Sequence, residues 1–327
     1  MIRSLLRPLA AFALAAATMA AAPIVHAQSE GGAPLRWVVP YAAGGGSDVT
    51  ARAVAAGMRG PLGQQIVIEN RPGAGTIIGT QAVASAKPDG TMVGTADSGT
   101  LAFNPSLYEK LPYDPARDLS YVGGIGRMPL VLVAHPSLPV SSVKDFIAYA
   151  QANPGKILYA SAGQGSPHHV AMEMLAQQLK LQLTHVPYKG AAPAVQDLLG
   201  GQVGAMLLDL PGGLAHMRAG KLKLLAVAMP KRVATLPDVP TMAEAGVPNF
   251  VAFAWQGMVA PAGTPKPVID RLSQALTRAL ADPEVNKRLL DMGVEPMPMR
   301  PEEFQDYART EAARWAPVIR SAGIKLE

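Results

Sequence analysis

The sequence predicts an α/β fold built from two domains. Its 327 residues, at roughly 150 residues per domain, favour two domains over one. Short apolar runs alternate with helix-like segments, as in βαβ units with a mainly parallel sheet. That pattern restarts after about residue 130, where a second α/β domain would begin.

The elements follow in order. Arg36-Trp37-Val38-Val39-Pro40 reads as a buried strand, and Gly44-Gly45-Gly46 follows it. Ser47-Asp48 can cap a helix that runs to about Arg59. Gln65 to Glu69 is a second strand, and the loop Asn70 to Gly75 leads into a helix from about Thr76 to Ala86. Lys87-Pro88-Asp89-Gly90 is a turn before a strand at Thr91 to Thr95. Met128 to Ala134 is another strand, and Val140 to Gln151 is helical until Asn153-Pro154-Gly155. Ile157 to Ala160 is a strand that enters the glycine loop Ser161 to Ser166. Pro167 to Lys180 is an amphipathic helix, with Ser166 as its N-cap and proline at its first position. Strands at Thr184 to Pro187 and Ala205 to Leu208 flank a helix near Ala192 to Leu199. Leu222 to Met229 and Trp255 to Pro261 are further strands. The tail from Pro265 to Glu327 is mostly helical, broken at Gly293 and at Pro296 to Pro301.

Composition narrows the function. Gly 32 and Pro 30 together lie above the usual ~12% but below the ~25–30% that marks disorder. Hydrophobic residues make up 49%, enough for two cores. Zero cysteines exclude a disulfide scaffold, a cysteine nucleophile and a thiolate metal site. Arg3 and Arg7, the small apolar run Leu9 to Ala22, and Val25-His26-Ala27 have the layout of a signal peptide, residues 1–27. Its removal takes two arginines, so the net charge falls from +5 to +3. No basic cluster with interleaved aromatics is present in the sequence, which argues against nucleic acid.

Three times a strand runs into a small-residue loop and then a helix start: Tyr41 to Ser47, Asn70 to Thr76, and Ser161 to Pro167. Each such start leaves unpaired N–H groups and the positive end of a helix dipole. Glycine lets a ligand approach the backbone. Together these favour an anion without basic side chains. Phosphate fingerprints are incomplete, so a small carboxylate fits better. Asp209, which ends an apolar strand, either faces a cleft or caps a helix. Phe253 and Trp255 read as core, with a cleft wall as the minor alternative. Ser98 and Ser166 lie outside any Gly-x-Ser-x-Gly nucleophile elbow, and His168-His169 lacks metal spacing. No catalytic residue, metal or cofactor is assigned.

Seven motifs then stand in a recognisable order. They are Val39 to Asp48, Glu69 to Gly75, Lys87 to Gly90, Ser161 to Ser166, Val186-Pro187-Tyr188-Lys189-Gly190, Leu236 to Thr241, and Ala260 to Pro265. The chain resembles the substrate-binding receptors of tripartite tricarboxylate transporters, the Bug family, over about residues 34 to 327. The resemblance implies a type II periplasmic binding-protein fold, two α/β lobes with a ligand cleft between them. It places lobe 1 at residues 28–130 and 253–327, and lobe 2 at 131–252. It implies that Tyr41, Gly44, Gly45, Ser47, Ala74, Gly75, Thr76 and Ser98 face the ligand from lobe 1. Ser161, Gly163, Gly165, Ser166, His169, Tyr188 and Asp209 would face it from lobe 2. Ala42-Ala43 replaces the prolines usual in that loop, so its amide pattern is expected to differ.

The function expected is a periplasmic, monomeric receptor of a Gram-negative bacterium. It would capture a small carboxylate and deliver it to the large and small membrane subunits of a permease. A ligand sensor that signals to a membrane kinase is the alternative. A hydrolase acting on a carboxylate is a third reading, without a constellation to support it.

Overall fold

The computed structural model describes residues 33–321 and 323–326. The expected signal peptide lies outside the described residues. The first strand, β1 (Leu35–Val39), is buried along nearly its whole length and runs into α1 (Gly46–Leu62). Ser47 is not the helix cap. Gly45 holds that position without a side-chain bond, and Asp48 reaches back from the first turn to accept the Gly44 N–H at 2.9 Å. Next come β2 (Ile66–Asn70), α2 (Ile77–Ala84) and β3 (Met92–Asp97). A π-helical turn over Gly99–Phe103 continues into α3 (Asn104–Leu107), and α4 (Pro115–Asp118) follows.

The strand β4 (Leu119–Ala134) is more than twice the length the sequence suggests. Its first half carries Gly123, Gly124 and Gly126. These glycines read as loop, but the backbone of the tail passes over them. A Cβ on Gly123 would lie 2.7 Å from the Met299 carbonyl oxygen, and one on Gly124 would lie 2.6 Å from that of Met297. Glycine in a strand marks such close approach. Beyond β4 lie α5 (Val143–Ala152), β5 (Leu158–Ser161), α6 (Pro167–Leu179), β6 (Thr184–Pro187) and α7 (Ala191–Leu199). Then come β7 (Ala205–Asp209), α8 (Leu210–Arg218), β8 (Lys223–Val227) and β9 (Phe253–Pro261). The tail forms α9 (Lys266–Ala281), α10 (Pro283–Asp291), β10 (Glu295–Pro296) and α11 (Pro301–Ser321). Neither α8 nor β10 is expected from the sequence.

The strands run in the order β2-β1-β3-β9-β4-β7-β5-β6, with β8 and β10 also on β4. The sheet is mixed rather than mainly parallel. Pairs β1·β2, β1·β3, β5·β6 and β5·β7 are parallel, as βαβ crossovers require. Every pairing of β4 and β9 is antiparallel. These two strands join the halves. Leu119 to Pro129 of β4 pair with β9, whereas Leu130 to Ala134 pair with β7.

Three apolar clusters hold the chain. One surrounds Leu132, Phe146 and Tyr159 beside β5 and β7. Another gathers Trp255, Phe304 and Trp315 under α11. Trp255 is thus core, with no exposure, and its ring meets Phe304 edge-on. The third runs from Trp37 and Met58 through β4 to Leu208 and Leu214. It packs both halves against the shared strand.

Candidate functional site

Six strands end where six loops meet. The segments after β1, β2 and β3 lie at 40–48, 71–76 and 98–100; those after β5, β6 and β7 lie at 161–166, 188–190 and 209–212. All leave the carboxyl ends of their strands, which is where open α/β sheets bind ligands. The two sets touch. The Ala42 N–H donates to the Lys189 carbonyl at 3.0 Å. A Cβ on Gly75 would lie 2.4 Å from the Gln164 carbonyl oxygen. One on Gly190 would lie 2.8 Å from the Ala42 nitrogen. Glycine is needed wherever the loops cross this closely.

Between the loops lies a cavity lined by Tyr41, Gly45, Gly46, Ser47, Asp97, Met128, Ala162, Pro167, His168, Ala191, Asp209, Ala254 and Gln256. Water centres can occupy only about 20 Å³ of it, room for about one water. The arrangement is therefore closed. Among the described residues that line it, none is Lys or Arg. Positive potential comes from helix ends instead. Neither α1 nor α7 has a side-chain cap on its first N–H groups. A Cβ on Gly45, the N-cap of α1, would lie 3.4 Å from the nitrogens of Ala191 and Ala192, which open α7. Two uncapped N-termini thus meet at the cavity wall.

The acids on its walls are already engaged. Asp97 accepts from the Tyr41 hydroxyl at 2.6 Å, and from the Thr100 N–H and hydroxyl, both at 2.9 Å. Burial, reinforced by Asp97, raises the Tyr41 hydroxyl pKa well above its ordinary range. Asp209 caps α8 by accepting the Gly212 N–H at 2.7 Å, and it meets His168 Nε2 at 2.7 Å. It also crosses to the other side. A Cβ on Gly46 would fall 1.9 Å from Asp209 Oδ1.

A second hollow of about 270 Å³ shares Ala162 with the first. Ala74, Gly75, Thr76, Gly163, Tyr188 and Lys189 are among its lining. Its floor is strained. Ala74 and Thr76 have φ of 44° and 79°, left-handed values that disfavour residues with a Cβ. Such strain clusters at functional loops.

Of the residues assigned from sequence, Tyr41, Gly45, Ser47 and Asp209 line the first cavity. Ala74, Gly75, Thr76, Gly163 and Tyr188 line the second. Gly44 and Gly165 shape their loops, both at positive φ. Ser98 is buried with an unpaired hydroxyl. Ser166 is the α6 cap, accepting the His169 N–H at 3.4 Å. Ser161 is turned into its own loop, where its hydroxyl meets the Gly163 carbonyl at 3.1 Å and His185 Nε2 at 2.7 Å. The Tyr188 hydroxyl is bound to Asp197 at 2.6 Å.

His169 does not line either cavity. Its ring stacks on His185 with centroids 4.1 Å apart, and its Nδ1 accepts the Gly165 N–H at 3.2 Å. Burial lowers the His169 pKa to about 4; burial and His169 lower that of His185 to about 3. Both are therefore neutral packing groups near pH 7. His168, one step along the helix, is the one on the cavity wall. Sequence reasoning also passed over Asp97 and Gln256. Gln256 stands alone as a polar side chain in the apolar run of β9, and that isolation was the available signal.

The fold is the type II-like fold of periplasmic binding proteins, and its strand-end loops enclose this cavity. The family model "Tripartite tricarboxylate transporter family receptor" matches residues 50–324. The chain belongs to that family, whose members are periplasmic binding proteins. It is 38% identical over 322 residues to Protein BugT of Bordetella pertussis, covering 98% of this chain and 99% of that one. The structure of periplasmic binding protein BugD matches with a TM-score of 0.87 and 39% identity, covering 90% of this chain and 99% of that chain. MatC from Rhodopseudomonas palustris, solved with bound malate, matches at 0.84 and 36% identity, over 88% of this chain and 98% of that chain.

Proposed function

We propose that this protein captures a small carboxylate in the periplasm and delivers it to the large and small membrane subunits of a tripartite permease. The observation that carries the reading is the meeting of two uncapped helix starts, α1 and α7, at a closed cavity with no Lys or Arg on its described wall. Each helix end carries about half a positive charge. Like ends in apposition repel, and an anion between them turns that repulsion into attraction. A carboxylate accepts several N–H bonds at once, and since the closed cavity has room for about one water, the acid would enter with the lobes apart. Malate in MatC is a ligand of this chemical class.

On this reading the lobes are residues 28–130 with 253–327, and residues 131–252. The ligand stabilises closure because it touches both, which is the differential contact a conformational shift requires. Ser47, Gly45 and Tyr41 would meet its carboxylate from one lobe, and Asp209 would face the rest of the ligand from the other. The 74–76 and 163–165 loops would govern access.

A thermal-shift screen against a panel of carboxylic acids tests the reading. An acid present at 100 times its Kd should stabilise by about 2.7 kcal/mol. No stabilisation by any acid would overturn it. Delivery is tested by uptake of that acid in cells lacking this protein or the permease. Uptake that persists without the protein would leave it a receptor with another output.

A further inference from the structure

Gln256 has no exposed surface, and neither its Nε2 nor its Oε1 has a hydrogen-bond partner in the protein. It lines the same cavity as Gly45, Ser47 and Asp209. Buried side-chain amides are nearly always paired, so one left open calls for an explanation. The obvious partners are taken. Across the β3·β9 pair Gln256 stands opposite Asp97, whose carboxylate already accepts from three donors and bonds neither amide atom of Gln256. Asp209 is held by Gly212 and His168. The Ser47 hydroxyl is also unpaired. The walls thus present satisfied acids and an unsatisfied amide.

We propose that Gln256 selects the ligand's second functional group, and that this group both donates and accepts hydrogen bonds: a hydroxyl or a primary carboxamide on a short carboxylic acid. The proposal rests on the carboxylate reading above and adds the chemistry of the other end. The amide Nε2 donates and Oε1 accepts. A hydroxyl or a carboxamide answers both. A methyl group answers neither. A second carboxylate only accepts, so it pairs with Nε2 and leaves Oε1 open. It would also stand near Asp97 and Asp209 with no Lys or Arg on the described wall. A site built to bond a polar group rejects analogues lacking it far more strongly than an apolar pocket rejects a size change.

Titration calorimetry with matched acids tests this. One series is butyrate, 4-hydroxybutyrate, succinamate and succinate; a shorter one is propionate, 3-hydroxypropionate, malonamate and malonate. In the series that binds, the hydroxyl- or carboxamide-ended acid should bind about 10-fold or more tighter than the methyl- or carboxylate-ended one. Gln256→Met, of similar volume but unable to pair, should reduce that preference to within about twofold. Gln256→Glu provides a second variant should the first fail to fold. It accepts only, so it should retain the hydroxyl preference over methyl and reject the second carboxylate still further. Equal or tighter binding of the dicarboxylate, or a preference that survives in Gln256→Met, overturns the role of Gln256 alone. Failure of every acid to bind, or equal binding of the acids and their methyl esters, overturns the carboxylate reading and this one with it.

Discussion

Gly46→Ala should separate closure from folding. Gly46 is the first residue of α1, where alanine suits the helix better than glycine by up to about 1 kcal/mol. On the proposed reading, an open form with the loops apart would place nothing against it. In the closed one, the new Cβ would lie 1.9 Å from Asp209 Oδ1, 2.7 Å from its Cγ and 3.1 Å from Pro211 Cγ. Relief can come in two ways. Asp209 can swing aside, losing the Gly212 N–H and His168, each at 2.7 Å. Alternatively the loops can part, losing the 3.0 Å bond from Ala42 to Lys189. Either route costs about 1–3 kcal/mol, so affinity should fall about 5- to 150-fold. The assay is calorimetric titration of the tightest acid from the thermal-shift screen, with the ligand-free melting temperature measured beside it. The melting temperature should hold or rise while the affinity drops. Affinity within about twofold of wild type would refute the claim that closure brings Asp209 against α1.

Gly45→Leu should abolish binding without unfolding the protein, because a side chain there would strike the start of α7, 3.4 Å from its Cβ position; unchanged affinity by calorimetry would refute this. The buried His169 and the half-buried His185 should make the fold acid-sensitive. Their folded pKa values are lowered to about 4 and about 3, so the unfolded chain binds the extra protons and stability falls as pH drops below the ordinary value of ~6.5. Each contributes roughly 2 kcal/mol of loss by pH 5, and His169→Asn should flatten the curve of urea midpoint against pH. Leu132→Ala, in the core beside Phe146 with no exposure, should cost about 2–5 kcal/mol by urea unfolding. Ala74→Gly should relieve a left-handed backbone at φ 44° and leave stability equal or up to about 1 kcal/mol higher, read as a rise in melting temperature.

The strand, loop and helix succession was legible because each loop carries its own local signal. Ser166 before Pro167 announces a helix start whatever lies around it. The first half of β4 was not legible. Its glycines answer to the backbone of Met297 and Met299, far along the chain, and no local window contains that demand. Pro211-Gly212-Gly213 hid α8, since proline in a first turn is permitted but glycines in the body of a helix are not a helix signature. The antiparallel half of the sheet depended on where residues 253–261 return. At the site, glycine loops pointed to backbone chemistry, but they cannot tell His168 from His169. Successive helical residues point about 100° apart, and only the packing of α6 decides which ring sees the cavity.

The same physics explains why the cavity has no lysine or arginine on its described wall. On the proposed reading, a cation would hold the anion in one lobe alone, whether or not the lobes met. Helix N-termini act over a short range, within the first turn, so the field from α7 reaches a ligand at α1 only when Gly45 comes up against Ala191. Affinity and closure would thereby become one event. The Asp209 carboxylate beside Gly46 already offsets part of the repulsion between the two helix starts. This permits a closed form while leaving room for a ligand to deepen it. The glycines at 46, 75 and 190 are then not signs of flexibility. They mark close approaches between loops, where on the proposed reading any larger residue would hold the receptor open.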